Sequence, residues 1–512
     1  MCLALFTIHY SLFISAQREE KRVYLIHADE LNYDRWRNNG AQVLTGNVQF
    51  EHDGALLYCD SANFFEVSNS FEAWGHVRML QGDTLSLTSD QGYYDGNQQM
   101  MEAKEHVVLR HRNTTLYTDE LYYDRIWNQG YFQNGGHLVD NNTTLISDWG
   151  EYHTDTKMAI FYYGVNMIDN QFRLITDSLY YNTQTKLAHI VGPSDIISGK
   201  SRIYSERGFY NTVTEESELL DRSVLRNEGR MLVGDSVWHN GKTGVSEAFN
   251  NVIFNDTVNK SILQCEYGHY EDSTGYAVCT DRVLAIDYSQ RDSLFMHADT
   301  IKVFSYNLDT DSVYRVLHAY NKVRAYRYDL QAVCDSLVYT SRDSCLTMYH
   351  DPITWNMNQQ LVGDEIQVFM KDSVIDHAHV INNAFSIEQL SEEKCYNQVS
   401  SKEMFAYFTE GRIHEAQAKD NVLSVYYPED KADSSYVGLV YMETNELRIY
   451  MDSVGKMSRI WAPKSDGTMY PMSQIPPDKR QLKGFAWYDY VRPLSRDDVF
   501  VWRGKKKETD HE

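Results

Sequence analysis

The sequence predicts an all-β protein in which bent antiparallel strands stack into an elongated, V-shaped double sheet. Three observations indicate this fold. A short motif with a central acidic residue returns about every 29 residues along most of the chain. Apolar and polar residues alternate around each motif, as they do in strands that bury one face. Helical spacing of apolar residues is not sustained anywhere, and residues that favour pleated sheets are concentrated in the patterned segments.

The acidic residue marks each repeat. Two clear copies read TDELYYD at 118–124 and TDSLYYN at 176–182, and weaker copies surround Asp299, Asp335 and Asp364, with a degenerate one near Glu403. The chain therefore holds about thirteen repeats, with a period typical of stacked architectures. The acids of the regular series are Asp29, Asp60, Asp90, Asp119, Asp148, Asp177, Glu206, Asp235 and Glu266.

Each repeat reads as two strands. The positions two and four residues after the acid share one strand face; the first is small or aliphatic and the second is usually aromatic, as in Leu121 and Tyr123. A second apolar strand follows, and turn-forming residues such as HDG at 52–54 separate the strands. Because turns separate the strand pairs, the antiparallel arrangement is favoured over a parallel β-helix.

We interpret the repeated acids as structural corners. An Asp side chain accepts hydrogen bonds from backbone N–H groups in tight turns. Catalysis by carboxylates needs two or three of them in distinct environments, whereas these acids recur at a structural period. The predicted structural corners are Asp29, Asp60, Asp90, Asp119, Asp148 and Asp177.

The net charge and the N-terminal residues limit which partners and which location are expected. A net charge of −24 argues against nucleic acid as a partner, and against direct docking on an anionic membrane surface. Residues 1–16 form an apolar run with a small-residue site at Ser15–Ala16, which resembles a secretory signal peptide, although it lacks a basic leading region. A membrane anchor is disfavoured because the run is short.

Proline and cysteine usage bound the domains. Five of the eight prolines lie beyond residue 460, and sheet interiors exclude proline. We therefore expect the repeats to fill residues 23–460 and a Pro-containing C-terminal tail to fill 461–512. Cys59, Cys265 and Cys334 precede corner acids as small residues. No metal-ligand spacing of cysteines is present, so neither a metal nor a cofactor is expected.

The repeat resembles that of the OstA-like (organic-solvent-tolerance) family, which includes the bridge protein LptA and the N-terminal domain of the translocon LptD. The resemblance rests on ADELNYDRWRNNGAQVLTGNVQFEHDGALLYCDSANFF at 28–65 and on TDELYYD, and it covers most of residues 23–370. It implies a V-shaped antiparallel β-jellyroll, or β-taco. The length of the chain indicates a long stand-alone form without the translocon's outer-membrane barrel.

The resemblance also implies a function. A non-enzymatic protein of this family would bind lipopolysaccharide or another acylated glycolipid and pass it along a bridge during outer-membrane assembly. Its partners would be other Lpt-type bridge or outer-membrane translocon proteins, and end-to-end self-association is a further mode of assembly. The implied location is the periplasm or cell envelope of a Gram-negative bacterium.

The apolar columns of the repeat are the candidate lipid groove. A long interior lined by Leu, Val and Tyr suits lipid tails, although the same columns can instead pack on each other. An open interior would favour lipid transport, a closed one a scaffold or adhesin, and a cleft with clustered acids a carbohydrate-active enzyme. The groove candidates are Leu31, Tyr33, Phe64, Tyr94, Leu121, Tyr123, Tyr152, Leu179, Tyr181, Tyr210, Val48, Val77 and Val107.

Overall fold

The computed structural model describes residues 22–170, 172–308, 310–371, 374–390, 395–409, 412–430, 435–452 and 457–505. The predicted signal peptide at 1–16 lies outside the described residues. Within the described residues there are 36 strands and no α-helix, and the pairings between strands are antiparallel. The predicted all-β antiparallel fold is confirmed.

The chain divides into two compact units, the first made of residues 1–199 with 209–213 and the second of 200–208 with 214–512. Strand β16, Ser201–Asn211, is divided between them. The strands of the first unit are β1 Tyr24–His27, β2 Glu30–Tyr33, β3 Gln42–His52, β4 Ala55–Phe65, β5 Ser70–Gln81, β6 Leu85–Asp95, β7 Met100–His111, β8 Thr114–Asp124, β9 Gln129–Phe132, β10 Gly136–Asp140, β11 Thr143–Ser147, β12 Trp149–His153, β13 Met158–Ile168, β14 Arg173–Asn182 and β15 Leu187–Ser198.

The second unit is also made of antiparallel strands that follow one another along the chain. Its strands are β17 Glu216–Asn227, β18 Arg230–Asn240, β19 Val245–Asp256, β20 Ser261–Glu271, β21 Tyr276–Asp287, β22 Leu294–Tyr306, β23 Tyr314–Tyr320, β24 Val323–Arg327, β25 Leu330–Cys334, β26 Ser336–Thr340, β27 Cys345–Tyr349, β28 Ile353–Asn356, β29 Gln359–Val362, β30 Glu365–Lys371, β31 Val374–Gln389, β32 Tyr396–Thr409, β33 Arg412–Tyr426, β34 Gly438–Met451, β35 Met457–Trp461 and β36 Asp466–Pro471.

Short 3-10 turns complete the regular structure. One lies in the first unit, and four follow β36 in the region expected as a C-terminal tail. β36 itself pairs with β34, so the strand ladder extends into that region. The 3-10 turns are Asn38–Gly40, Met472–Gln474, Pro477–Lys479, Asp489–Val491 and Asp498–Phe500.

The long strands bend once near their middle. In most of the alternate strands the bend contains two consecutive residues with positive φ, and the pairing register shifts there; Gly46 and Asn47, for example, have φ of 76° and 47°. Such a bulge lets the ladder continue on both sides of a bend. Each strand therefore contributes two arms, which share one inner face. Equivalent pairs are Gly75–His76, Glu105–His106, Tyr163–Gly164, Asp221–Arg222, Asn250–Asn251, Asp281–Arg282, Asn382–Asn383 and Asp420–Asn421.

Several corner acids lie against the bend of the following strand. Oδ2 of Asp60 lies 2.7 Å from Nδ1 of His76, and Asp90 makes the same 2.7 Å contact with His106. These side chains are largely exposed, with Asp60 at 62%. The contacts place the acids at the bends, and how much they stabilise the fold stays a prediction. Further contacts of this kind are Asn47–Asp29, Asn251–Asp235 and Asn383–Asp364.

Gly75→Ala should destabilise the first unit more than Gly82→Ala. Both glycines have positive φ, 75° and 59°, so both substitutions carry a backbone penalty of about 1 kcal/mol. A Cβ at Gly75 would lie 2.4 Å from Oδ2 of Asp60, whereas nothing lies within 4 Å of one at Gly82. Asp60 must then move and lose its contact with His76, and we expect a further loss on the order of 1 kcal/mol.

Denaturant unfolding followed by hydrogen exchange in β4–β6 measures the difference between the two variants. Equal losses of stability in Gly75→Ala and Gly82→Ala would contradict the prediction, because they would show that Asp60 can move away from His76 without lowering the free energy of unfolding.

Candidate functional site

Most of the predicted groove residues are buried. They belong to one continuous hydrophobic core of the first unit, in which Leu121 and Tyr123, for example, have 0% exposure. Side chains therefore fill the first unit's inner face, and the assignment of these residues to lipid contact stays a prediction. The buried candidates are Val48, Phe64, Val77, Tyr94, Val107, Leu121, Tyr123, Tyr152, Leu179 and Tyr181.

Three candidates lie in other surroundings. Leu31 and Tyr33, both in β2, are 51% and 60% exposed. Tyr210 is half-buried, and its ring meets Phe172 edge-on with 4.4 Å between the ring centres. The structure thus brings the buried candidates together and leaves these three at the margins of the core.

Hydrogen bonds close the inner face of the first unit across its two arms. The tyrosine four residues after a corner acid reaches a polar side chain 41 or 42 residues earlier, on the facing arm. We call these contacts the tyrosine latches. They are His52 Nδ1–Tyr94 OH at 2.7 Å, His111 Nδ1–Tyr152 OH at 3.0 Å, and Tyr181 OH donating to Asp140 Oδ2 at 2.9 Å.

A cation accompanies each latch. Arg125 donates from Nη1 to the Tyr94 hydroxyl at 2.8 Å, and Lys186 Nζ lies 2.6 Å from Oδ2 of Asp140. Lys157 Nζ lies 3.4 Å from Nε2 of His111. Because an unpaired buried polar atom costs about 1–3 kcal/mol, these cations make it possible for polar groups to remain inside an apolar core.

Burial fixes the protonation of the latches. It lowers the pKa of His111 to about 4, an effect reinforced by the charges of Lys157 and Arg112. A neutral ring that accepts from Lys157 at Nε2 carries its proton on Nδ1, where it can donate to Tyr152. Burial likewise raises the pKa of Tyr181, with the Asp140 carboxylate as the next cause. At neutral pH His111 is therefore neutral and the hydroxyl of Tyr181 keeps its proton.

The second unit keeps an apolar inner face but leaves part of it accessible. Near the bends, one row of cross-strand neighbours is buried throughout, apart from the half-buried Gly268. This apex row continues without a polar residue across fourteen strands. Its members are Leu219, Val237, Ala248, Gly268, Cys279, Ile301, Ala319, Leu337, Met348, Ile366, Val380, Met404, Ala418 and Leu447.

Two further rows flank the apex row, one on each arm. The side chains of both are half-buried, apart from the buried Ala378. The first-arm row is Leu225, Leu232, Phe254, Leu263, Ala285 and Met296. The second-arm row is Ala277, Val303, Leu317, Tyr339, Leu346, Val368, Ala378, Ala406, Ala416 and Ile449.

The two units differ at equivalent repeat positions. Leu87 of the first unit is 1% exposed, whereas its second-unit counterparts Leu232 and Leu263 are half-buried. At the latch position the second unit has His239, whose Nδ1 lies 2.9 Å from Oγ of Ser246 on the neighbouring strand, and Tyr270, which is 44% exposed. At His239 and Tyr270, the second unit's inner face can therefore receive an apolar ligand without first losing a tyrosine latch.

The candidate list made from sequence missed two groups. It omitted the polar latch partners His52, His111 and Asp140, although each lies eight residues before a corner acid and could have been found by aligning the repeats. It also omitted the second unit's rows, in which the repeat motif is weaker. The part of the chain that the structure describes shows no cluster of three potential metal ligands and no helix long and apolar enough to cross a membrane.

Tyr181→Phe should destabilise the first unit by about 1–3 kcal/mol, since it removes a buried hydrogen bond to a charged carboxylate. Tyr180→Phe is the matched control, because the neighbouring side chain points to the opposite face of β14 and its hydroxyl makes a longer contact, 3.4 Å to Tyr162. Hydrogen-exchange protection of β13 and β14 measures both. Similar losses in the two variants would contradict a role for the latch.

The His111 latch should weaken in acid. The folded pKa of about 4 lies below the ordinary value of 6.5, so between these values the unfolded chain binds a proton that the folded chain does not. The stability contributed by the neutral ring is therefore complete above pH 6.5 and declines as the pH falls towards 4.

The variant His111→Gln has no titratable group at this position, so comparison with it isolates the pH-dependent stability that His111 contributes. Protection factors in β7 and β12 should fall faster in the unaltered protein than in the variant over this range. Parallel pH profiles would show that His111 does not stay neutral in the folded state.

Comparison with known proteins bears on the first unit. Residues 20–177 match the family model described as OstA-like protein. No curated protein matches the chain. The matched range includes all of β1–β13 and the first residues of β14, together with the first two tyrosine latches. Residues 20–177 are therefore similar to the OstA-like family, and their antiparallel all-β fold is consistent with that similarity.

Proposed function

We propose that the protein binds lipopolysaccharide or another acylated glycolipid and acts as a bridge in its transport during outer-membrane assembly. The OstA-like region supports this lipid class, because that family includes lipopolysaccharide transport proteins. The single observation that carries the proposal is the second unit's inner face, where a buried apolar row lies between two accessible ones. Acyl chains would lie along the first-arm and second-arm rows.

The energetics favour acyl chains over headgroups as the main contact. Each methylene moved from water onto an apolar surface contributes about 0.8 kcal/mol. A protein with a net charge of −24 gains little from anionic lipid phosphates. At a strand spacing of about 4.8 Å, the apex row runs on the order of 60 Å, which is long enough for a lipid to move along it. Binding should therefore depend only weakly on salt.

The proposed setting follows from the same family. We place the protein in the periplasm or cell envelope, with other Lpt-type bridge or translocon proteins as partners, and assign it a binding role rather than a catalytic one. A second candidate, a structural scaffold of the envelope, is favoured by the filled and latched interior of the first unit. The two candidates make different predictions for the second unit's inner face.

A photo-crosslinking residue at Phe254 should capture lipopolysaccharide in cells, whereas one at Ile253 should not. Both positions are half-buried in β19, but they point to opposite faces of the strand. Leu87, which is 1% exposed in the closed first unit, is a second control and should stay unlabelled. Equal labelling at Phe254 and Ile253, or none at either, would overturn the lipid proposal and favour the scaffold.

A further inference from the structure

We propose that the outer face of one arm of the second unit is a peptide-binding groove, occupied by the chain's own residues 475–503 as an exchangeable ligand. We call these residues the C-terminal segment. The groove and the apolar rows occupy opposite faces of the sheet, so this proposal does not depend on lipid binding. The ligand it accepts in addition is the same segment from a second copy of the chain.

Two buried glutamines recognise the main chain of the segment. Gln360 donates from Nε2 to the carbonyl of Ala486 at 2.8 Å and accepts at Oε1 from the N–H of Tyr488 at 2.7 Å. Gln398 makes the same pair of bonds to the carbonyl of Arg480, at 2.8 Å, and the N–H of Leu482, at 2.9 Å. A side-chain amide that pairs with residues i and i+2 imitates a neighbouring strand and binds main chain of any sequence.

The glutamines form part of an ordered row. Cross-strand pairing runs from Gln331 through Trp355, Gln360 and Ile387 to Gln398, so a glutamine occurs on every second strand. All three glutamines are at most 2% exposed. Gln331 accepts at Oε1 from Nε of Arg492 at 2.7 Å, which adds a third attachment further along the segment. The row thus provides repeated polar attachment points on an otherwise apolar surface.

Apolar side chains of the segment fill the spaces between these attachments. Ile475 and Leu482 join a core cluster with Phe385 and Ile387. Val491 packs with Val333, Ile353 and Trp355 in another. The segment residues in these clusters are at most 8% exposed. Main-chain recognition combined with side-chain pockets is the arrangement by which proteins bind peptides with selectivity.

One end of the groove carries a destabilising feature. Arg324 is 0% exposed, and within the described residues none of its three guanidinium nitrogens has a hydrogen-bond partner. Burial outweighs the attraction of Asp498 and lowers the pKa of Arg324 to about 10. A buried cation without partners regains hydration when its cover leaves. Arg324 therefore favours release of the segment's last turn, Asp498–Phe500, and release of an end is the first step of exchange.

The test begins with the whole folded protein. A protease site introduced at the exposed residues Ser473 and Gln474 is cleaved after folding, and a fluorescent synthetic peptide of residues 475–505 is added. We expect the cleaved segment to co-elute with the body and then to exchange with the labelled peptide at one peptide per chain, whereas a scrambled peptide does not bind.

Substitutions that are expected to change the release rate in opposite directions make the test more specific. Gln360→Ala and Gln398→Ala should each speed release roughly tenfold, the effect of losing about 1.4 kcal/mol of buried hydrogen bonding. Arg324→Met, which removes the buried charge, should slow it. Gln367→Ala is the control, because this half-buried glutamine lies in β30 and bonds to Glu365 away from the segment.

Several outcomes would overturn the proposal. The cleaved segment could be lost at once without any uptake of labelled peptide, or it could stay bound with no exchange. Release rates in Gln360→Ala and Gln398→Ala equal to that of Gln367→Ala would show that the glutamines do not hold the ligand. The exchange measurement on the cleaved protein with Gln360, Gln398 and Arg324 intact does not depend on these substitutions, so a substitution that prevents folding does not remove the test.

Discussion

The central constraint on this structure is that a long strand must bend without breaking its hydrogen-bonded ladder. Paired residues of positive φ, such as Asn250 and Asn251, solve this by adding a bulge at the bend. Once a strand bends, its two arms share an inner face, and the alternation of side chains sends apolar groups to that face from both arms. The apex row, the flanking rows and the tyrosine latches all follow from this geometry.

The same geometry gives two different interiors. In the first unit, long side chains such as Phe50 and Met79 fill the space between the arms, and tyrosines bridge it. In the second unit, the equivalent positions carry side chains that leave the arms partly accessible, as at Ala285 and Tyr270. A latch joins a tyrosine four residues after one acid to a polar side chain eight residues before another, as Tyr94 does with His52 in the first unit. Whether the space between the two arms is filled and bridged is therefore determined by the side chains rather than by the course of the backbone.

The sequence repeat explains why the fold could be predicted from the sequence. A period of about 29 residues, alternation around the acid and turn residues between strands were sufficient to predict bent antiparallel strands. Exposure was not predictable, because Leu87 and Leu263 occupy the same place in the repeat and differ only through what lies across from them. The placement of the C-terminal segment could not be predicted either. The sequence around Gln360 and Gln398 does not indicate that these side chains bond to main-chain atoms more than 80 residues away.

The position of the C-terminal segment imposes an order on biosynthesis. Arg492 bonds to Gln331, a partner 161 residues earlier in the chain. At a synthesis rate of about 5–20 residues per second, an interval of roughly ten to thirty seconds separates the appearance of these two residues. During that interval the glutamine row and its apolar neighbours are on the nascent chain without their cover. The segment is thus made well after the surface that it covers, so a chain interrupted before residue 475 would expose an apolar, aggregation-prone face.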